Sequence, residues 1–198
     1  MDRQYRTILT PMTIQTDKKR LDTDYYVEGY AATWDKYLLY EDEDGPVYEQ
    51  FLPVAFNGCD MSDIIFQYNH AGRVFARTKN RTLIVEPDTY GLFTAADLGS
   101  TDGSREMFQD IKAELVTKMS WAFMPDNRTM EYDEKTRTII HHRINKVFDV
   151  SAVSYPANSG TEINARSFCD GVIAERLKES RERKFKIRRI KLLMEVSK

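Results

Sequence analysis

Short apolar runs rich in β-branched and aromatic residues follow one another along most of this chain, and turn residues close each run. This pattern constrains the fold more than any other feature, because such residues suit a pleated, half-buried surface. Residues 25–31 (Tyr25, Tyr26, Val27, Glu28, Gly29, Tyr30, Ala31) read as a strand. Residues 37–40 and 47–51 flank Asp42, Glu43, Asp44, Gly45 and Pro46, a loop or hairpin tip. The acidic cluster lacks the alternating ligand spacing of a calcium loop, so a solvated turn is expected there rather than a metal site. Residues 64–70, 82–86 and 91–96 read as further strands, the last two forming an antiparallel pair across Pro87 and Asp88.

One internal helix is expected at residues 103–117. Thr101 and its neighbours supply N-cap chemistry, and Met107, Phe108, Ile111 and Leu115 recur at helical spacing. Strand character returns at 119–124, 137–144 and 146–154, with a turn over 126–134 and Pro156 ending the last strand. Many strands without regular helical alternation argue against a doubly wound sheet and for a barrel or sandwich.

Composition then narrows the function. Hydrophobic residues make up 41%, enough for a core, and 29 Lys and Arg stand against 31 Asp and Glu. The resulting net charge of −2 argues against binding nucleic acid by bulk electrostatics. That small total hides a division. Residues 170–198 hold ten basic and five acidic side chains, a net of +5, which leaves −7 for the remainder. Ile173, Leu177, Ile187, Ile190 and Met194 recur there at roughly helical intervals, so a basic helix is expected to dock on the body or on a partner protein. An RNA-binding barrel would need a basic aromatic face, which the acidic body does not favour. No apolar run approaches the roughly 20 residues of a membrane span. Residues 1–20 are polar, so no secretory signal is expected. Cys59 and Cys169 are too few for a disulfide framework and are expected as reduced thiols in a cytosolic compartment. No Cys-x-x-Cys or His-x-x-x-His pair and no Gly-rich phosphate loop occurs, so neither metal nor nucleotide cofactor is expected.

Three residue types stand out for chemistry. His141 and His142 are adjacent, so on a strand they point to opposite faces. His70 ends an apolar strand on the face of Ile64, Phe66 and Tyr68, where a partly buried, hydrogen-bonded imidazole is the plainer reading. Ser120 shares a strand face with the small Ala122, opposite Met119, Trp121 and Phe123; an ordinary strand serine is again the plainer reading. Asp149 lies in the apolar run Val147-Phe148-Asp149-Val150, where it needs either a partner or a wet face. Together they have the types of a nucleophile, a base and an orienting acid. The types alone leave their proximity open.

The text around these residues resembles the prohead proteases of tailed bacteriophages, serine peptidases that mature procapsids, over about residues 25–166. Tyr26-Val27-Glu28-Gly29-Tyr30-Ala31 is similar to the opening strand, and Pro53-Val54-Ala55-Phe56 to a Pro-Gly-Ala-Phe element. Asn69-His70 matches the catalytic histidine, and Thr82-Leu83-Ile84-Val85-Glu86 with Tyr90-Gly91-Leu92-Phe93 resembles the paired segments after it. Lys118-Met119-Ser120-Trp121-Ala122-Phe123 resembles the nucleophile segment, and Asp149-Val150-Ser151-Ala152-Val153-Ser154-Tyr155-Pro156-Ala157 the signature opened by an acid. Val54 and Ala122 replace typical glycines. Asp149 replaces a common glutamate, so its strand has to sit one methylene closer to His70.

The resemblance implies a mainly β, α+β fold: a small closed β-barrel of the herpesvirus assembly protease type plus a C-terminal helix. Together with the change of composition after Arg166, it divides the chain into a protease domain, 1–166, and a basic helical extension, 167–198. It implies a serine endopeptidase without cofactor, with Ser120 as nucleophile, His70 as general base and acid, and Asp149 orienting His70. His141 or His142 is the alternative third member, because herpesvirus-type enzymes use a second histidine. Backbone amides, and a water held by Arg166, are the expected oxyanion donors, while Ser151 and Ser154 are expected to pack or hydrogen-bond locally. The implied substrates are the major capsid protein, the scaffold and the enzyme itself, cut somewhere after Arg166, inside the assembling prohead in the host cytoplasm. A homodimer is compatible with the resemblance; nucleic-acid and membrane partners are not expected. The competing reading is an inactive assembly protein on the same barrel with the basic helix as its docking element. The presence of both Ser120 and His70 favours the enzyme.

Overall fold

The computed structural model describes residues 3–14, 18–154 and 159–196. Its elements are β1 (Gln4–Pro11), β2 (Tyr26–Thr33), β3 (Tyr37–Asp42), β4 (Gly45–Phe51), β5 (Ile65–Tyr68), β6 (Ala71–Arg77), β7 (Leu83–Pro87), β8 (Gly91–Asp97), α1 (Asp102–Lys112), β9 (Lys118–Pro125), β10 (Glu131–Asp133), β11 (Thr138–His141), β12 (Ile144–Val153) and α2 (Ser159–Val196). The α+β class with a C-terminal helix is as expected. Pro156 and Ala157, the end of the resemblance's last signature, lie outside the described residues.

Three sheets form, ordered β1-β9-β12-β5-β6, β10-β11-β4-β3 and β2-β8-β7. Among the described residues no single sheet closes on itself, unlike the barrel implied by the resemblance. The five- and three-stranded sheets meet instead at two short seams. At one, Thr13 and Glu28 exchange backbone hydrogen bonds of 2.8 Å. At the other, Thr82 N–H donates to Arg77 O at 3.2 Å, and Arg77 N–H donates to Thr82 Oγ1 at 2.9 Å. Ladder pairing is interrupted near the first seam by an irregular register before Pro11, which has no N–H to contribute.

The core lies under β9, whose residues Met119 to Phe123 are all buried. Trp121 stacks on Phe123 with ring centroids 4.2 Å apart, and Phe51 meets both rings edge-on. A second cluster joins Val47, Met130 and Ile139 to Cys169 and Val172 of α2, so the helix is held against the four-stranded sheet. No helix among the described residues is long and apolar enough to cross a membrane.

Helix α1 is shorter than its apolar spacing predicts. Thr101 caps its start by accepting from Ser104 N–H, and Glu114 turns left-handed at φ 58° just after its end. Glu114 N–H then donates to Ile111 O and Leu115 N–H to Asp110 O, which is the Schellman arrangement. Leu115 is thereby turned outward and left 68% exposed.

A buried ionic cluster joins β1 to the four-stranded sheet. Glu49 on β4 accepts from Arg6 Nε at 2.5 Å and Nη2 at 2.8 Å, and meets His141 Nε2 at 2.8 Å. The Tyr37 hydroxyl donates to the same carboxylate. Burial opposes the charge on Glu49, but Arg6 and then His141 outweigh it and hold the carboxyl well below its usual range. Glu49→Ala leaves Arg6 buried without its anionic partner. The expected cost is about 3–5 kcal/mol, the scale for breaking a buried ion pair. It would be read as a lower urea midpoint at unchanged slope.

Candidate active site

Strand β12 is the axis of the site. On one side it pairs antiparallel with β9, so that Ser151 lies opposite Ser120 and Asp149 opposite Ala122. On the other it runs parallel to β5, which brings Ala152 level with Tyr68 at the end of that strand. The β5–β6 hairpin therefore overhangs the β12–β9 pair.

His70 is not on the strand, as alternation would have it, but in the turn that follows. Tyr68 pairs with Ala71, and Asn69 and His70 between them have φ of 49° and 58°. Positive φ at both central residues marks a type I′ hairpin, a conformation asparagine and histidine tolerate better than most side chains. Asn69 N–H donates to Ala152 O at 3.0 Å and His70 N–H to Ser151 Oγ at 3.2 Å, pinning the turn to β12.

From this turn the imidazole bridges two strands. His70 Nε2 is 2.7 Å from Ser120 Oγ, and Nδ1 is 2.5 Å from Asp149 Oδ1. The shorter aspartate reaches because β12 and β5 are direct neighbours. Asp149 is fully buried, which resolves its two sequence readings in favour of pairing over a wet face. With Nδ1–H donating to the carboxylate, Nε2 carries a lone pair directed at the serine hydroxyl. That is the arrangement in which an imidazole can remove a hydroxyl proton.

The N-terminal strand covers this group, and nothing in the sequence pattern signals it. Arg3 Nη2 donates to Asp149 Oδ2, and its guanidinium lies 4.7 Å from the centre of the Phe148 ring. The Tyr5 ring meets the His70 ring edge-on at 4.7 Å. Thr7 pairs across from Ser120, and Ser120 Oγ is also 2.9 Å from Arg6 O, which competes with His70 Nε2 for the one hydroxyl proton. Ser120 is only 2% exposed. The other expected residues lie elsewhere. His141 is committed to Glu49, His142 pairs with Glu131 on the surface, and Arg166 lies 3.9 Å from Asp170 and over the Tyr40 ring. Ser154 Oγ shares a hydrogen bond with the Tyr68 hydroxyl.

Burial, reinforced by the Arg3 guanidinium, lowers the His70 pKa to about 4. The imidazole is thus neutral at pH 7, the state a base requires. The unfolded chain takes the proton more readily between about 4 and 6.5, so His70 costs stability as pH falls through that window. Ring titration followed by NMR should give a midpoint near the lower value. Arg3→Ala should move that midpoint upward, and an unmoved midpoint would show that Arg3 exerts no field on His70.

A family model for the caudovirus prohead serine protease matches residues 12–171. The matched span holds His70, Ser120, Asp149 and Ser151 and starts just after β1, the strand that carries Tyr5 and that Arg3 immediately precedes. No curated protein and no solved structure matches the chain. With most of its length covered by that model, the chain belongs to the caudovirus prohead serine protease family.

Proposed function

We propose that this protein is a serine endopeptidase that cuts scaffold and major capsid protein within the assembling prohead. Family membership points to a capsid maturation protease acting on capsid proteins in the infected cell. The observation that carries the catalytic type is the continuous relay from Ser120 Oγ through His70 to Asp149, with links of 2.7 and 2.5 Å. These side chains are 50 and 79 positions apart in sequence.

In this reading Ser120 Oγ attacks the scissile carbonyl carbon while His70 Nε2 takes its proton. The imidazolium so formed is stabilised by Asp149 through Nδ1–H. His70 then returns the proton to the leaving amine, and the acyl-serine is hydrolysed by a water that His70 deprotonates in turn. A polypeptide has no path to a serine that is 2% exposed, so the Arg3–Arg6 stretch must shift before substrate binds. The barrel architecture belongs to the same reading. It is supported by the two seams, at Thr13 with Glu28 and at Thr82 with Arg77, that join the five- and three-stranded sheets.

The division into a catalytic unit, 1–166, and an extension, 167–198, is also proposed. The first turns of the extension pack through Cys169 and Val172, and its contacts with Glu134 run to Ser180 and Lys184. Beyond these, Phe185, Ile187, Ile190 and Leu192 are exposed among seven basic residues between Arg181 and Lys191. An apolar, cationic arm suits docking on an acidic helical segment of the scaffold or capsid precursor, which would bring the enzyme into the shell. Self-removal after Arg166 would release it.

Co-expression with the phage capsid and scaffold proteins tests the assignment. Ser120→Ala should abolish processing while the fold persists; equal processing by variant and wild type would remove Ser120 from the reaction. Asp149→Asn should slow processing by a smaller factor, because it disturbs the imidazole tautomer without removing the nucleophile. Mass spectrometry of protease from mature proheads should find a chain shortened after Arg166, and an intact chain there would sink the self-cleavage step.

A further inference from the structure

Ser151 is fully buried, and its hydroxyl is spent on the residues of the relay. A hydroxyl has one proton to donate and lone pairs to accept with, and both capacities are used here. Ser151 Oγ–H donates to Asp149 Oδ1 at 3.0 Å, and Oγ accepts from the His70 backbone N–H at 3.2 Å. Its backbone faces Ser120 across the β9–β12 ladder. We propose that Ser151 is a positioning residue for the proteolytic reaction, locking the His70 turn and the Asp149 carboxylate to one point on β12. This inference rests on the relay reading above.

Two physical arguments carry it. The first concerns the turn. His70 sits at φ 58°, a region that side-chain-bearing residues enter at a cost and leave unless their surroundings hold them. Asn69 N–H to Ala152 O is one tie, and the Ser151 hydroxyl is the other. With only the first, the hairpin stays attached, but the peptide that aims the imidazole can rock.

The second concerns the carboxylate. Asp149 Oδ1 receives both His70 Nδ1–H and Ser151 Oγ–H, while Oδ2 receives Arg3. Two donors on Oδ1 fix the carboxylate's rotation and keep it facing His70. Without the serine, the Arg3 cation is the stronger pull and draws the carboxylate away from the ring. The Nδ1–H tautomer then loses its hold, and with it the lone pair on Nε2. Alanine would occupy almost the same space as serine in this strand, so the hydroxyl's contribution is hydrogen bonding rather than packing.

The test uses the full-length protein and a fluorophosphonate, a probe that reacts only with an activated serine. Labelling is followed against pH, with Ser120→Ala as the blank. Ser151→Ala should fold, label roughly tenfold more slowly, the scale of a lost positioning hydrogen bond, and show a displaced acid limb. It should also lose the downfield imidazole N–H signal of a His–Asp hydrogen bond in the proton NMR spectrum. Ser151→Thr, which restores a hydroxyl, should recover rate, profile and signal. If alanine impairs folding, Ser151→Cys carries the same expectation, because sulfur fills the space but is a weak hydrogen-bonding group. A chain that never labels at Ser120, neither as wild type nor as Arg3→Ala with the outer anchor of the covering stretch removed, would sink the relay reading itself. A wild type that labels, with Ser151→Ala matching its rate, profile and signal, would overturn the role of Ser151 alone.

Discussion

A carboxylate with no exposed surface, Asp149 in the middle of β12, sets the terms for this structure. A buried charge is costly unless it is both paired and hydrogen-bonded. Asp149 meets that demand with donors from three places: His70 in the β5–β6 turn, Ser151 on its own strand, and Arg3 from the start of the chain. Each of these segments is held where it is partly because the carboxylate requires it. The proposed chemistry and the packing therefore share contacts, and Ser151, a buried strand serine, is one hydrogen bond from both His70 and Asp149.

Strand β1 and the Arg3 residue that leads into it serve two buried anions at once. Arg6 turns toward Glu49 and the four-stranded sheet, while Arg3 and Tyr5 lie over Asp149 and His70. Ser120 lies beneath this strand, with its hydroxyl shared between His70 and the Arg6 carbonyl. The covering residues precede the part of the chain that matches the family model. Access to the serine is thus tied to a segment anchored by Arg6 and by an ion pair at Arg3. The Arg3 side chain is partly exposed and the Arg6 side chain is not, so the outer anchor is the easier one to release.

Much of the secondary structure was legible. The aromatic run that became β2, the β7–β8 pair about Pro87 and Asp88, and the alternation of β9 follow from local periodicity and turn chemistry. Helix α1 was legible in position but not in length, because Leu115 keeps the helical spacing while Glu114 leaves the helical conformation. The apolar run ending at His70 looked like one strand. In the structure it is a strand and half of a tight turn, because the parallel β12 ladder extends to Tyr68 and the hairpin must reverse at once to let Ala71 pair back.

By itself the sequence determined a strand-rich body with one internal helix, the residue types available for chemistry, their order along the chain and the split between an acidic body and a basic helical end. All of these depend on composition and on spacings of a few residues. Tertiary structure alone decided that Ser120, His70 and Asp149 meet, that His141 serves Glu49 instead, and that Arg3 and Ser151 complete the surroundings of Asp149. Those outcomes depend on which strands pair and in which register. A shift of one residue in β12 would turn Asp149 away from His70 and leave a charge buried alone, so burial and charge pairing across the whole core select the register, not any local pattern.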